Sequence, residues 1–180
     1  MALTKILEGG IADDAVGNTK LDLSENYAFT GTVTGAGGGK ILQVKSSGNI
    51  TSEFQTDQES YQSMSCTVDI TPSATTSKVL VLGNVSGFYL YGGGTDAGAA
   101  GAIYKASSAI YAGGANRFAY IRDASSSNLE IAMPLTLHHL DSPSTTSSVT
   151  YGLYMRAFSG ATVRSYSGYS RSIIAIEVAQ

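Results

Sequence analysis

Few residues in this sequence are of types that do chemistry, and their spacing narrows the field further. Cys66 is the only cysteine, so no intrachain disulfide can form. In SMSCTVDI it shares a strand face with Met64, Val68 and Ile70, the place of a small buried apolar residue. A nucleophilic thiol would need a neighbouring base and a lowered pKa, and nothing local supplies either. His138 and His139 are the only histidines. Adjacent strand residues point to opposite faces, so the two rings do not converge on one ion. One is expected to pack inward and the other to cap a strand end. Only a site on a symmetry axis, with one histidine from each copy, would make them ligands. No metal and no cofactor is assigned.

The carboxylates are sparse. Glu8, Asp13 and Asp14 lie near the N-terminus, and Asp123, Glu130 and Asp141 would have to meet across a cleft to cleave a glycosidic bond. GGGTDAG carries a degenerate dinucleotide fingerprint at Gly92, Gly94 and Ala97. However, Asn116 and Arg117 stand where a ribose-binding acid belongs, and the following AGAAGAIYKASS is a poor helix start. GAGGGKI lacks the first glycine and the Ser/Thr of a phosphate loop, and no GxSxG elbow occurs. The chain reads as non-enzymatic. A glycan-processing enzyme working through Asp123 and Asp141 is the competing reading from another class.

Tyrosine is the more suggestive residue. Tyr89, Tyr91, Tyr104, Tyr111, Tyr166 and Tyr169 fall in or near Gly/Ser loops rather than in clear core runs. A tyrosine ring offers contact area and its hydroxyl a hydrogen bond, and Ser and Gly adapt around it. The YSGYS hairpin, with Tyr166 and Tyr169 flanked by Arg164 and Arg171, is the nominated contact site. The plainer reading of such rings is packing over sheet edges or between subunits.

The elements that must position these residues are strands. SMSCTVDI alternates apolar and polar, SNLEIAMPLTLHHL places Leu129, Ile131, Met133, Leu135 and Leu137 on one face, and VTYGLYMRAF groups Val149, Tyr151, Leu153 and Met155. KVLVLGNV and SIIAIEVAQ are apolar on both faces, the pattern of strands covered on both sides. Pro134 interrupts a strand and removes a ladder donor, so an edge or a bulge is expected there. Turn clusters such as TPSATTS, DSPSTTSS and YSGYS separate the runs. The expected fold is all-β, an antiparallel, jelly-roll-like β-sandwich over residues 40–180.

Composition agrees. Among 180 residues there are 24 Ser, 17 Thr and 21 Gly, while charged residues make up 14%, well under the usual quarter. A net charge of −3 with scattered basic residues excludes a nucleic-acid footprint. No apolar run reaches membrane-spanning length, and the N-terminus lacks a signal-peptide pattern. Manufacture in a cytoplasm is therefore expected.

Residues 1–34 stand apart. Ile6, Leu7, Ile11, Val16, Leu21 and Leu23 fit neither helical nor strand spacing for long. So short a segment cannot bury them by itself. Gly35, Gly37, Gly38 and Gly39 then mark a hinge over residues 35–39. An extended N-terminal arm, covered by other copies or by a neighbouring protein, is the economical solution.

Two segments carry a family resemblance. TKILEGGIADDAVGNTKLDLSENYAFTGTVTG, with its I-x-DDAV-x-x-K-L unit before FTGTV, resembles the arm and shaft segments of tailed-bacteriophage tail-fibre proteins. LHHLDSPSTTSSVTYGLYMRAFSGATVRSYSGYSRSIIAIEVAQ is similar to the closing strands of the small β-sandwich domains that end such fibres and related virion proteins. The resemblance implies a homotrimeric structural protein of the virion whose distal domain touches a host-surface glycan or protein. Only one short arm precedes the domain, which leaves a short-fibre tip, a capsid decoration (cement) protein or an adaptor as the forms it can take. No receptor-contact residue carries over from the family.

Overall fold

The structure, a computed structural model, describes residues 41–92, 97–112, 118–121 and 129–179. The arm (1–34), the hinge (35–39) and Asp123 lie outside the described residues. Within them are eleven strands and no helix: β1 (Ile41–Ser46), β2 (Phe54–Thr56), β3 (Gln62–Ile70), β4 (Lys78–Gly92), β5 (Ala97–Lys105), β6 (Ser108–Ala112), β7 (Ala119–Ile121), β8 (Leu129–Asp141), β9 (Val149–Phe158), β10 (Thr162–Ser165) and β11 (Arg171–Val178). All pair antiparallel.

Two sheets form. Sheet A runs β8-β4-β11-β1, with β10 and β2 extending it beside the second half of β4; sheet B runs β3-β9-β5-β6, with β7 against β5. The pairings nest. β5 pairs β6, β4 pairs β8, β3 pairs β9 and β1 pairs β11. A chain first laid out as one long hairpin and then rolled up, so that β4 meets β11 and β9 meets β5, has this order. It is the jelly roll that the sequence led us to expect.

The alternating patterns decide which faces meet. Met64, Cys66, Val68 and Ile70 of β3 point inward, as do Val149, Tyr151, Leu153 and Met155 of β9. From sheet A come Val79, Val81, Val85, Phe88 and Leu90 of β4, Leu135 and Leu137 of β8, and Ile173 and Ala175 of β11. Each large side chain fully buried there contributes roughly 1.5–3 kcal/mol. Pro134 lies on β8, which among the described strands pairs only with β4, and it faces a bulge where Ser86 and Gly87 stand opposite it. Both expected accommodations of proline are present at once.

One expectation needs correction. β4 and β11 were expected to be covered on both faces. Their inner residues are buried, but Leu80, Leu82, Ile174 and Ile176 on the outer face are only half-buried. A two-layer sandwich has no third layer to lay over sheet A among the described residues.

Candidate functional site

The bulge at Ser86–Gly87 organises the outer face of sheet A. Before it, even-numbered residues of β4 point outward; after it, Phe88 and Leu90 point inward and Tyr89 and Tyr91 outward. The backbone groups freed by the bulge find partners across the sheet. The Ser86 N–H donates to the Ser170 carbonyl at 2.8 Å, the Ser170 N–H to Ser86 Oγ at 2.9 Å, and Ser165 Oγ to the Gly87 carbonyl at 3.1 Å. The bulge therefore ties β4 to the segment that carries the nominated hairpin.

That hairpin is a tight turn. The Tyr169 N–H donates to the Tyr166 carbonyl at 3.2 Å, and Gly168, at φ +97°, occupies the third position, which a type II turn reserves for a residue tolerating positive φ. Tyr169 then folds back against Gly87. A Cβ at Gly87 would sit 2.6 Å from the Tyr169 ring, so the glycine makes room for the ring.

Four tyrosines meet on this face. Tyr89 is central, with edge-to-face contacts to Tyr166 (centroids 4.8 Å apart, 78°) and Tyr169 (5.6 Å, 73°), and with Tyr91 alongside at 6.5 Å. The Tyr89 and Tyr169 hydroxyls are 2.7 Å apart, and those of Tyr91 and Tyr166 are also hydrogen-bonded. Arg164 lays its guanidinium 4.2 Å over the Tyr166 ring and pairs with Glu53 at 2.8 Å. Glu130 stands opposite Tyr91 in the register. The Tyr89 hydroxyl is pushed above its ordinary pKa, chiefly by the bond to Tyr169, then by desolvation and by the neighbouring Tyr169, Glu130 and Tyr166. It stays protonated at neutral pH. Two hydroxyl pairs use one proton each, so each pair keeps one O–H to donate outward.

Of the nominated residues, the fold brings together Tyr166, Tyr169 and Arg164, and separates Arg171. Arg171 is 1% exposed. Its Nε donates to the Met64 carbonyl at 2.7 Å, Nη1 to the Ser52 carbonyl at 2.6 Å and Nη2 to Ser52 Oγ at 3.0 Å. It cannot contact a receptor from there; it pins the loop before β2 to β3. The reason is parity. On β11 odd residues face the core, whereas Arg164 falls on an outward position of β10. Tyr89 and Tyr91 belong to β4, not to a loop; the alternation in GFYLY was the signal that placed them. Tyr104 sits elsewhere, stacked on Tyr154 at 3.9 Å on the outer face of sheet B, and Tyr111 lies beside His139.

The other candidates sort readily. Cys66 is buried, and desolvation raises its pKa despite a bond to Ser47 and the nearby Arg171 charge. His138 points outward and His139 is half-buried. Among the described residues no group of three or more His, Cys, Asp or Glu gathers at metal-binding range. Asp141 is buried, paired with Lys105 at 3.0 Å, and accepts the Tyr151 hydroxyl at 2.7 Å. Desolvation, then the bond to Asp141 and its charge, raise the Tyr151 pKa. Glu130 lies at the other end of β8, roughly 36 Å from Asp141 at ~3.3 Å per residue, so these two carboxylates share no cleft. Ala97 opens strand β5 where a dinucleotide fingerprint needs a helix. No helix among the described residues is long and apolar enough to cross a membrane.

Fold and site together define a jelly-roll β-sandwich with an outward tyrosine platform. No protein-family model matches the chain, and no curated protein matches it. Among solved structures, the chain is distantly similar to capsid structures of infectious bursal disease virus. These include the T13 viral particle (TM-score 0.31, 11% identity, 78% of this chain and 38% of that one) and the VP2 subviral particle (TM-score 0.27, 13% identity, 77% and 32%). The chain spans less than two fifths of the length of either.

Proposed function

We propose that this chain is a structural protein of a virus particle, a tail-fibre or short-fibre component of a tailed bacteriophage, made in the host cytoplasm and assembled as a homotrimer. In this reading the arm docks to other virion proteins through Ile6, Leu7, Ile11, Val16, Leu21 and Leu23. The tyrosine platform (Tyr89, Tyr91, Tyr166 and Tyr169, with Arg164) meets a host-surface glycan or protein. One observation carries the reading. The polar aromatic side chains gather on an open sheet face with spare hydroxyl donors, an arrangement that suits adhesion. The test is adsorption: Tyr89→Ala and Tyr169→Ala should each reduce binding to host cells about tenfold or more while the melting temperature holds within a few degrees. Wild-type adsorption by both variants would remove the platform from the reading.

A capsid decoration (cement) or adaptor protein is the second reading, favoured by the nested strand order, which capsid domains also use. It predicts particle stabilisation without host-cell binding, so a pull-down on host cells separates the two.

A further inference from the structure

The outer face of sheet A has a second half, and its chemistry differs from that of the tyrosines. Val44, Ile176, Leu80 and Leu140 stand side by side across β1, β11, β4 and β8, each paired in register with the next. The adjoining row reads Ser46, Ile174, Leu82 and His138 across the same four strands. Val44 is 56% exposed and Leu140 54%, and the central four are half-buried. A polar belt of Ser172, Asn84 and Thr136 separates this block from the tyrosine platform.

We propose that this aliphatic block is the surface through which copies of the chain pack on one another, leaving the tyrosine halves free. Three observations favour a second copy as the occupant. The two rows contain no carboxylate and no Lys or Arg; His138 closes the second row on β8, and Lys78 at the margin holds Ser142 at 2.8 Å. The block can therefore face its own image without like-charge cost, the condition a symmetric contact sets. β1, at the rim of the block, has β11 as its only ladder partner among the described strands and exposes Ile41 and Leu42. Such an edge calls for cover, and an identical strand can pair with it. From strand spacing and rise the six aliphatic side chains cover on the order of 200 Å². That is about a quarter of what one partner buries in a standard interface, and the β1 edge with Ile41 and Leu42 extends the contact.

The inference takes from the proposed function only that the chain assembles with itself. The test uses the full chain, with its mass measured by sedimentation across a concentration series. Leu80→Asp and Ile176→Asp point into solvent in the separate protomer, and Ser107→Asp, in the turn between β5 and β6, serves as control. Wild type and control should associate. The two block variants should dissociate at roughly hundredfold or higher concentration while keeping the wild-type circular dichroism spectrum. Should either variant fail to fold, Leu140→Cys takes its place: a short bismaleimide should link copies of that variant through the introduced thiol but should not link copies of Ser107→Cys. Block variants that fold and still associate like wild type, or the absence of a crosslink in Leu140→Cys, overturn this proposal and leave the assembly reading standing. A wild-type chain that is monomeric throughout overturns both.

Discussion

Glu177 shows how a buried carboxylate is held inside the sandwich. It is fully buried on β11, yet its carboxylate accepts the Gln43 amide at 2.6 Å and both the Ser73 N–H and hydroxyl at 2.7 Å. Burial alone would raise its pKa; the bonds from Gln43, Ser77 and Ser73 outweigh it and take the group down to about 2. Because the folded pKa lies below the unfolded one, the unfolded chain binds the extra proton between pH 4.5 and about 2, and stability falls as pH drops through that window. Urea midpoints measured from pH 6 to 2 should therefore decline in the wild type. In Glu177→Gln the part of the decline between pH 4.5 and 2 should be smaller. At this scale the sequence misled in one place. Arg171 and Arg164 flank the same hairpin and look equivalent, but only the parity of β10 and β11 tells which one faces water.

Among the elements, the bulge of β4 has the most consequence. One extra residue changes which face the following side chains occupy, and so moves Tyr89 and Tyr91 outward while keeping Phe88 and Leu90 in the core. Gly87 has a second task, since the Tyr169 ring lies where its Cβ would be. Gly87→Ala should displace that ring, break the hydroxyl bond to Tyr89 and cost about 1–3 kcal/mol. Urea unfolding would read the cost, and loss of host-cell adsorption comparable to that of Tyr169→Ala would read the displaced ring. The strands themselves were legible, because period-2 alternation in β3, β8 and β9 reports directly which side meets the core. Pro134 signalled an edge or a bulge on β8, but not that the extra residue would fall at Ser86–Gly87 of β4, since a Ser-Gly pair inside a long apolar strand has no period of its own.

For the molecule as a whole, the nested pairings make β1 and β11 the outermost pair of the rolled hairpin, closing sheet A on one side. A chain beginning at Lys40 keeps every described strand and should unfold in one cooperative transition near the wild-type melting temperature. A chain beginning at Ser47 loses β1 and the Gln43 bond to Glu177, bares the β11 edge, and should melt several degrees lower and aggregate. Circular dichroism melts with parallel light scattering would show both.

The sequence by itself determined the all-β class, the inward face of most strands and the antiparallel sandwich, because these follow from local alternation, turn residues and composition. Only the tertiary structure decided that Tyr89 and Tyr91 join Tyr166 and Tyr169, that Arg171 is a buried strut, and that one sheet face divides into an aliphatic and a tyrosine half. Those outcomes depend on register between strands as far as 132 residues apart (Val44 and Ile176) and on one bulge that switches faces. Pairing across such distances is set by how whole sheets pack, and no local pattern encodes it.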